Sequence, residues 1–111
     1  MIRALIVDDE PLALDVMQSL LAPHGDVEVL GAYRSATQAL KAMNRWQPDL
    51  LFLDIQMPGM SGFELISKIQ PEQMPSVIFA TAFDSFAVDA FNVHALDYLL
   101  KPIDPQRLAQ S

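Results

Sequence analysis

The sequence predicts a doubly wound α/β domain, in which helices cover both faces of a five-stranded parallel sheet. Short apolar runs without polar alternation are typical of strands that are buried on both faces. Three such runs occur, at Ala4–Val7, Leu50–Leu53 and Val77–Ala80. Between them, apolar residues recur at spacings of three and four, which indicates amphipathic helices. Strands that alternate with helices in this way form parallel sheets with right-handed crossovers.

Two further segments complete the predicted sheet. Val27–Leu30 alternates apolar and polar residues, as an edge strand does, and Tyr98–Leu100 is a short fifth strand. The flavodoxin-like strand order 2-1-3-4-5, one of the two common doubly wound orders, places the alternating strand at an edge and serves as the template. Helices are predicted over Pro11–Leu21, from a cap at Ser35 to about Trp46, from near Ser61 to before Pro71, and from about Asp84 to Val93.

Composition restricts the function classes. A chain of 111 residues forms one domain, and without cysteine it has neither a disulfide scaffold nor a thiolate metal site. A formal net charge of −7 disfavours contact with nucleic acid, whose affinity for proteins depends on neutralising phosphates. The sequence has no long apolar run for a membrane span, and the N-terminus reaches carboxylates too early for a signal peptide. We therefore expect an acidic, soluble, cytoplasmic domain that contacts neither nucleic acid nor membrane.

Polar side chains gather where the predicted strands end. Asp8 and Asp9 end the first strand, Asp54 the third and Thr81 the fourth, and Lys101 follows the fifth. Because ligands of open α/β sheets lie outside the carboxyl ends of the strands, these side chains should form one site. Two carboxylates about 5 Å apart repel by roughly 3 kcal/mol at an effective dielectric constant of about 20. Three acids beside one lysine therefore favour a bound cation, and all-oxygen ligands suit Mg²⁺.

Each of these residues has a simpler explanation when it is taken alone. Asp8 and Asp9 could cap the first predicted helix, and Asp54 could begin a turn. Lys101 could be an ordinary surface lysine. Their joint placement at successive strand ends favours a shared site instead. A metal-bound carboxylate that faces a lysine and a hydroxyl is suited to phosphoryl transfer, where positioning and charge neutralisation supply most of the catalysis.

Four motifs resemble the receiver domain of two-component response regulators, and the resemblance covers essentially the whole chain. They are LIVDDE at residues 5–10, LDIQMPGMSG at 53–62, ATA at 80–82 and DYLLKP at 97–102. The resemblance implies that Asp54 accepts a phosphoryl group from the phosphohistidine of a sensor histidine kinase. It also implies no enzyme activity beyond self-phosphorylation and autodephosphorylation.

The same resemblance implies roles for the surrounding residues. Mg²⁺ would be held by Asp8, Asp9, Asp54 and the backbone carbonyl of Gln56. Lys101 would pair with the phosphoryl group, and Thr81 and Tyr98 would be the two switch residues. The backbone amide of Ala82 would bind the phosphoryl group. Phosphorylation would then shift the surface around the fourth predicted helix and the fifth strand.

The segment FDSFAVDAFNVHAL at residues 83–96 is similar to receivers that are attached to LytTR-type DNA-binding domains. This similarity implies that the chain regulates transcription through a LytTR-type output domain beyond Ser111. Two alternatives remain at this point. One is a metal-dependent aspartyl-phosphate phosphatase of the haloacid dehalogenase type, although Glu10 stands where that class has a second aspartate. The other is an interaction module that is not phosphorylated.

The C-terminal segment is short for the fifth helix of such a domain. Residues 104–111 provide barely two helical turns, and only Leu108 and Ala109 could cover the sheet. We therefore expect apolar side chains of the strands, together with Leu12 or Val16, to stay partly open. Exposed apolar patches of this kind tend to be buried by another chain. We expect this chain to be the N-terminal piece of a longer regulator and to self-associate, for example as a homodimer.

Overall fold

The computed structural model describes residues 1–69, 71–82, 85, 89–90 and 95–110. Its strands are β1 (Ile2–Val7), β2 (Val27–Tyr33), β3 (Leu50–Leu53), β4 (Ser76–Thr81) and β5 (Asp97–Leu100). Its helices are α1 (Pro11–Leu21), α2 (Ala36–Trp46), α3 (Gly62–Ser67) and α4 (Pro105–Gln110), and a short 3-10 helix covers Pro71–Gln73. The helix predicted over 84–93 lies outside the described residues, apart from Ser85, Asp89 and Ala90.

The strands form one parallel sheet in the order β2-β1-β3-β4-β5, so the predicted fold class and strand order are confirmed. β2 lies at an edge, as its alternation indicated, and it runs three residues longer than predicted. Its pairing with β1 shifts register between Ala4 and Leu5. The carboxyl ends of β1 and β3 are level, because Val7 pairs with Leu53. Leu53 pairs with Phe79, and β4 runs two residues further, to Thr81. The parallel strands bring the polar residues at their carboxyl ends to one edge of the sheet.

Alternate strand residues supply two separate cores. On one face, Leu51, Leu53 and Phe79 are fully buried beneath α2 and α3. On the other, Ile6 and Phe52 pack with the apolar side of α1. The central strands are therefore apolar on both faces, which is why their sequences do not alternate.

The expectation that strand side chains stay open beneath a short last helix is wrong. Leu108 of α4 is only 5% exposed and packs on the same face as α1. Ile6, Phe52 and Ile78 on that face are each 2% exposed. Part of the expectation holds, because Leu12 is 73% and Val16 47% exposed on α1. Self-association stays a prediction, and α1 contributes exposed apolar surface for it.

The helix starts follow their sequence signals with one exception. Ser35 caps α2, and Ser61 forms a reciprocal capping box with Glu64 at the start of α3. Asp9, one of the two acids that could cap α1, is not at the N-cap position; that residue is Glu10, whose side chain makes no capping hydrogen bond. Within the described residues, no helix combines the length and apolar character that crossing a membrane requires.

Candidate functional site

Backbone hydrogen bonds of the sheet position the polar residues at its carboxyl edge. The amide of Asp54 donates to the carbonyl of Val7 at 3.0 Å, which sets Asp54 beside the end of β1. The amide of Lys101 donates to the carbonyl of Thr81 at 2.8 Å, and the amide of Asp8 donates to Tyr33 at 3.0 Å. Strand pairing therefore holds these residues in one row, as their positions in the sequence predicted.

Three carboxylates meet in this row. Asp8 and Asp54 are buried, at 4% and 7% exposed, and Asp9 is partly exposed. One carboxylate oxygen from each of the three lies within 4.8 Å of the others. At this separation, each pair of charges repels by about 3 kcal/mol at an effective dielectric constant of about 20. A cluster of hard oxygen donors with unbalanced negative charge fits Mg²⁺, which binds to few protein carboxylates and retains several waters.

Lys101 partly balances the acids. Its Nζ donates to Oδ2 of Asp8 at 2.5 Å and to Oδ2 of Asp54 at 3.3 Å. Burial alone would lower the pKa of Lys101, but its bonds to Asp8 and the charges of both acids raise that pKa overall. The pKa of Asp54 is raised, chiefly by burial and further by Asp8, although Lys101 opposes the rise. A charged Asp54 is thus costly in the folded protein.

The loop after β3 fixes the orientation of the Asp54 carboxylate. Oδ1 of Asp54 accepts a hydrogen bond from the amide of Ile55 at 2.7 Å, so Oδ2 is the oxygen that faces Lys101. Gly59 has a φ of +83°, which glycine adopts without strain, and turns the loop back toward the sheet. A Cβ at Gly62 would lie 2.5 Å from the backbone oxygen of Asp54, so only glycine fits this close approach.

The other predicted residues lie around this group. Gln56 is exposed, two residues after Asp54 in the same loop. Thr81 is fully buried as the last residue of β4, and Ala82 after it is exposed. Tyr98 lies on β5, half-buried, with its ring centroid 6.3 Å from that of Phe79. The two predicted switch residues therefore sit on neighbouring strands.

Two contacts were not predicted from the sequence, one at this edge and one at the opposite end of β5. The Nε of Arg34 donates to the backbone carbonyl of Asp9 at 3.2 Å, which ties the end of β2 to the acidic loop. Arg107 of α4 forms two hydrogen bonds to Asp97 at the start of β5, and these bonds lower the pKa of Asp97. The only sequence signal for the Arg34 contact was the position of a basic residue shortly after a predicted strand. No sequence signal indicated the Arg107 contact, because Asp97 is ten residues away along the chain.

Replacing Asp9 with alanine is expected to weaken Mg²⁺ binding at least about tenfold and to leave the metal-free protein equally or more stable. Asp9 does not cap α1, and its removal relieves repulsion within the three-acid cluster. Melting temperatures measured with and without Mg²⁺ test both parts. Asp15→Ala is the matched control, because it removes an exposed acid from α1. A clearly lower metal-free melting temperature for Asp9→Ala would show a structural role for Asp9 instead.

Comparison with known sequences gives consistent relatives. The sequence profile of the response regulator receiver domain matches residues 4–111. The chain is 50% identical over 111 residues to an uncharacterized response regulatory protein of Vibrio cholerae, of which it covers 47%. It is 49% identical over 111 residues to the transcriptional regulatory protein BtsR of Salmonella typhi, of which it covers 46%. Both matches include 100% of this chain, which spans slightly less than half the length of these relatives.

Solved structures agree with the sequence relatives. The response regulatory domain of mrkE from Klebsiella pneumoniae has a TM-score of 0.87 at 33% identity, with 97% of this chain and 89% of that chain covered. A DNA-binding response regulator of the LuxR family from Staphylococcus aureus has a TM-score of 0.87 at 27% identity, with 99% and 94% covered. These comparisons do not favour the phosphatase alternative. The chain belongs to the response regulator receiver domain family of two-component systems.

Proposed function

We propose that this receiver is a phosphorylation switch in which Asp54 accepts a phosphoryl group from the phosphohistidine of a sensor histidine kinase. The observation that carries this proposal is the carboxylate of Asp54, held at the end of β3 with Oδ2 toward Lys101 and within 4.8 Å of two further acids. In the transfer, an oxygen of Asp54 forms a bond to phosphorus as the bond between phosphorus and the histidine nitrogen breaks. The nitrogen keeps the electron pair of the broken bond.

The residues around Asp54 support such a transfer. Lys101 already neutralises Oδ2 and can move its bond to a phosphoryl oxygen, because its Nζ has three donors. Asp8, Asp9, Asp54 and the carbonyl of Gln56 would hold Mg²⁺. When bound, Mg²⁺ neutralises charge on the phosphoryl oxygens and orients them. The proposal includes autodephosphorylation, in which water at the same site removes the phosphoryl group from Asp54.

The conformational response is assigned to Thr81, Ala82 and Tyr98. A phosphoryl group on Asp54 adds charge and acceptor oxygens at the edge of the sheet, where the hydroxyl of Thr81 and the amide of Ala82 can bond it. Inward movement of Thr81 would vacate space that the ring of Tyr98 can enter. Phosphorylation then biases a two-state surface around the 84–93 segment and β5.

The partners of the whole protein extend this proposal. The names of the BtsR relatives support control of transcription, and the segment at 83–96 supports a LytTR-type DNA-binding output domain. The receiver itself, with a net charge of −7, is proposed to act on that domain and not to touch DNA. A cytoplasmic location suits contact with both a kinase and DNA.

Incubation with acetyl phosphate and Mg²⁺ is expected to label the protein with an acid-stable, base-labile phosphoryl group. Asp54→Asn should abolish the label, because asparagine lacks the nucleophilic carboxylate, while Asp49→Asn serves as the control on an exposed acid of the preceding loop. Radiolabel retained by the precipitated protein is the measurement. Labelling of Asp54→Asn at a rate comparable to that of the wild type would refute the assignment.

A further inference from the structure

An aromatic and basic hollow lies between α2 and the end of β2. It encloses about 380 Å³ and is lined by Tyr33, Gln38, Lys41, Ala42, Arg45 and Trp46. From Arg34 through Pro48 the sequence has three cations and no carboxylate, although the whole chain has a net charge of −7, and two of the three, Lys41 and Arg45, line the hollow. The hollow is therefore lined by positive charge, although the whole chain is acidic.

The fold does not account for these cations. Lys41 and Arg45 are four residues apart on one helix face, where like charges destabilise a helix. Among the ion pairs of the described residues, neither cation has a carboxylate partner. A basic residue in the last turn can serve the carbonyls of a helix end. At the end of α2, Arg3 makes these bonds instead of Arg45: its guanidinium donates to the carbonyls of Trp46 and Gln47.

The aromatic rings give the hollow a binding geometry. The guanidinium of Arg45 lies over the ring of Trp46, with its central carbon 5.1 Å from the ring centroid. Stacking of this kind fixes the plane of the guanidinium and leaves its N–H groups available for a carboxylate. Trp46 is 38% exposed, and Tyr33 also lines the hollow. Apolar surface therefore adjoins the two cations that line the hollow.

We propose that this hollow binds an acid-rich polypeptide segment, with carboxylates on Lys41 and Arg45 and aliphatic groups on Trp46 and Tyr33. Residues four apart on a helix have Cβ atoms about 5–6 Å apart. Alternate side chains of an extended peptide lie about 7 Å apart on one side, so two acidic residues can meet both cations. Nucleic-acid binding depends on neutralising many phosphates, and anionic lipid surfaces bind clusters of about four to eight cations. Two cations match a short acidic segment better.

Fluorescence of Trp46, the single tryptophan of the chain, measures binding directly. At low ionic strength, a short oligoglutamate peptide should change the emission saturably, salt should suppress the change, and an oligolysine peptide of equal length should have no effect. Lys41→Glu should weaken binding about fivefold or more. Lys68→Glu makes the same change of net charge at an exposed lysine on another helix end and should bind as the wild type does. Asp54→Asn should also bind normally, because this proposal does not depend on phosphorylation.

Melting temperatures separate a loss of binding from a loss of folding. Lys41→Glu places a glutamate four residues before Arg45, which favours the helix, so its melting temperature should not fall. An equal loss in Lys68→Glu, or no saturable change with oligoglutamate, would overturn the proposal. So would tighter binding of a DNA oligonucleotide, which would make the hollow a nucleic-acid surface. Self-association of the wild type that Lys41→Glu abolishes would show a second copy as the occupant instead.

Discussion

Replacing Lys101 with methionine is expected to destabilise the metal-free protein by about 3 kcal/mol at neutral pH. Methionine keeps the volume of the side chain and removes its charge. Asp8 and Asp54, both buried, then lose their common counter-charge and repel each other. For a domain of this size, the loss corresponds to a fall of roughly 12 °C in melting temperature. Mg²⁺ should raise the melting temperature more in Lys101→Met than in the wild type, because Lys101 no longer competes for the same oxygens.

The pH dependence of this loss has a definite sign. Lys101 opposes the raised pKa of Asp54, so that pKa rises further in Lys101→Met. The folded state then binds a proton more tightly than the unfolded chain does, and protonation removes the penalty. The stability difference from the wild type should be largest above the folded pKa of Asp54 and should shrink as pH falls toward the ordinary carboxyl range. Lys68→Met, at an exposed lysine, is the control. A difference that does not change with pH would contradict this electrostatic explanation.

Gly62→Ala is expected to destabilise the protein by about 2 kcal/mol and to slow phosphorylation of Asp54. The added Cβ would lie 2.5 Å from the backbone oxygen of Asp54 and 3.1 Å from Cα of Ile55. Both are backbone atoms, so the end of β3 or the start of α3 must move to admit it. Movement of β3 displaces the carboxylate of Asp54 from Lys101. Chemical denaturation and the acetyl phosphate assay measure the two effects.

Helix propensity alone predicts the opposite sign for this substitution. Alanine in a helix is favoured over glycine by up to about 1 kcal/mol, so a more stable Gly62→Ala would show that the close contact does not constrain β3. Gly25→Ala is the matched control, because nothing lies within 4 Å of the Cβ that it would add. Its stability and its phosphorylation rate should stay near those of the wild type.

The fold and the membership of the acidic site could be predicted because both depend on local patterns in a topology with few solutions. Uninterrupted apolar runs required a sheet buried on both faces, and the alternating β2 required an edge. Once the order was chosen, residues directly after β1 and β3 had to share one end of the sheet. Asp8 and Asp54 were thereby placed together without knowledge of any side-chain rotamer.

The rest depended on packing that residue spacing does not encode. Asp9 could have capped α1, but the N-cap residue is Glu10, whose side chain makes no capping hydrogen bond. The amide of Glu10 donates to Oδ1 of Asp8 at 3.0 Å instead. The short C-terminal helix suggested an open sheet, but Leu108 packs into the hydrophobic core of that face and Ile103 packs against it. Arg34 came beside Asp9 only because β2 extends through Tyr33. These differences depend on individual side-chain contacts and on the length of one strand.

Identification of the modified residue tests the phosphorylation switch most directly. The protein is phosphorylated with a small-molecule donor and Mg²⁺, and borohydride then reduces the acyl phosphate, which converts the modified aspartate into homoserine. Fragmentation of the peptides by mass spectrometry should find homoserine at position 54, with Asp8, Asp9 and Asp49 unchanged. Homoserine at another aspartate, or a phosphoryl group that resists the reduction, would show that Asp54 is not the phosphoacceptor.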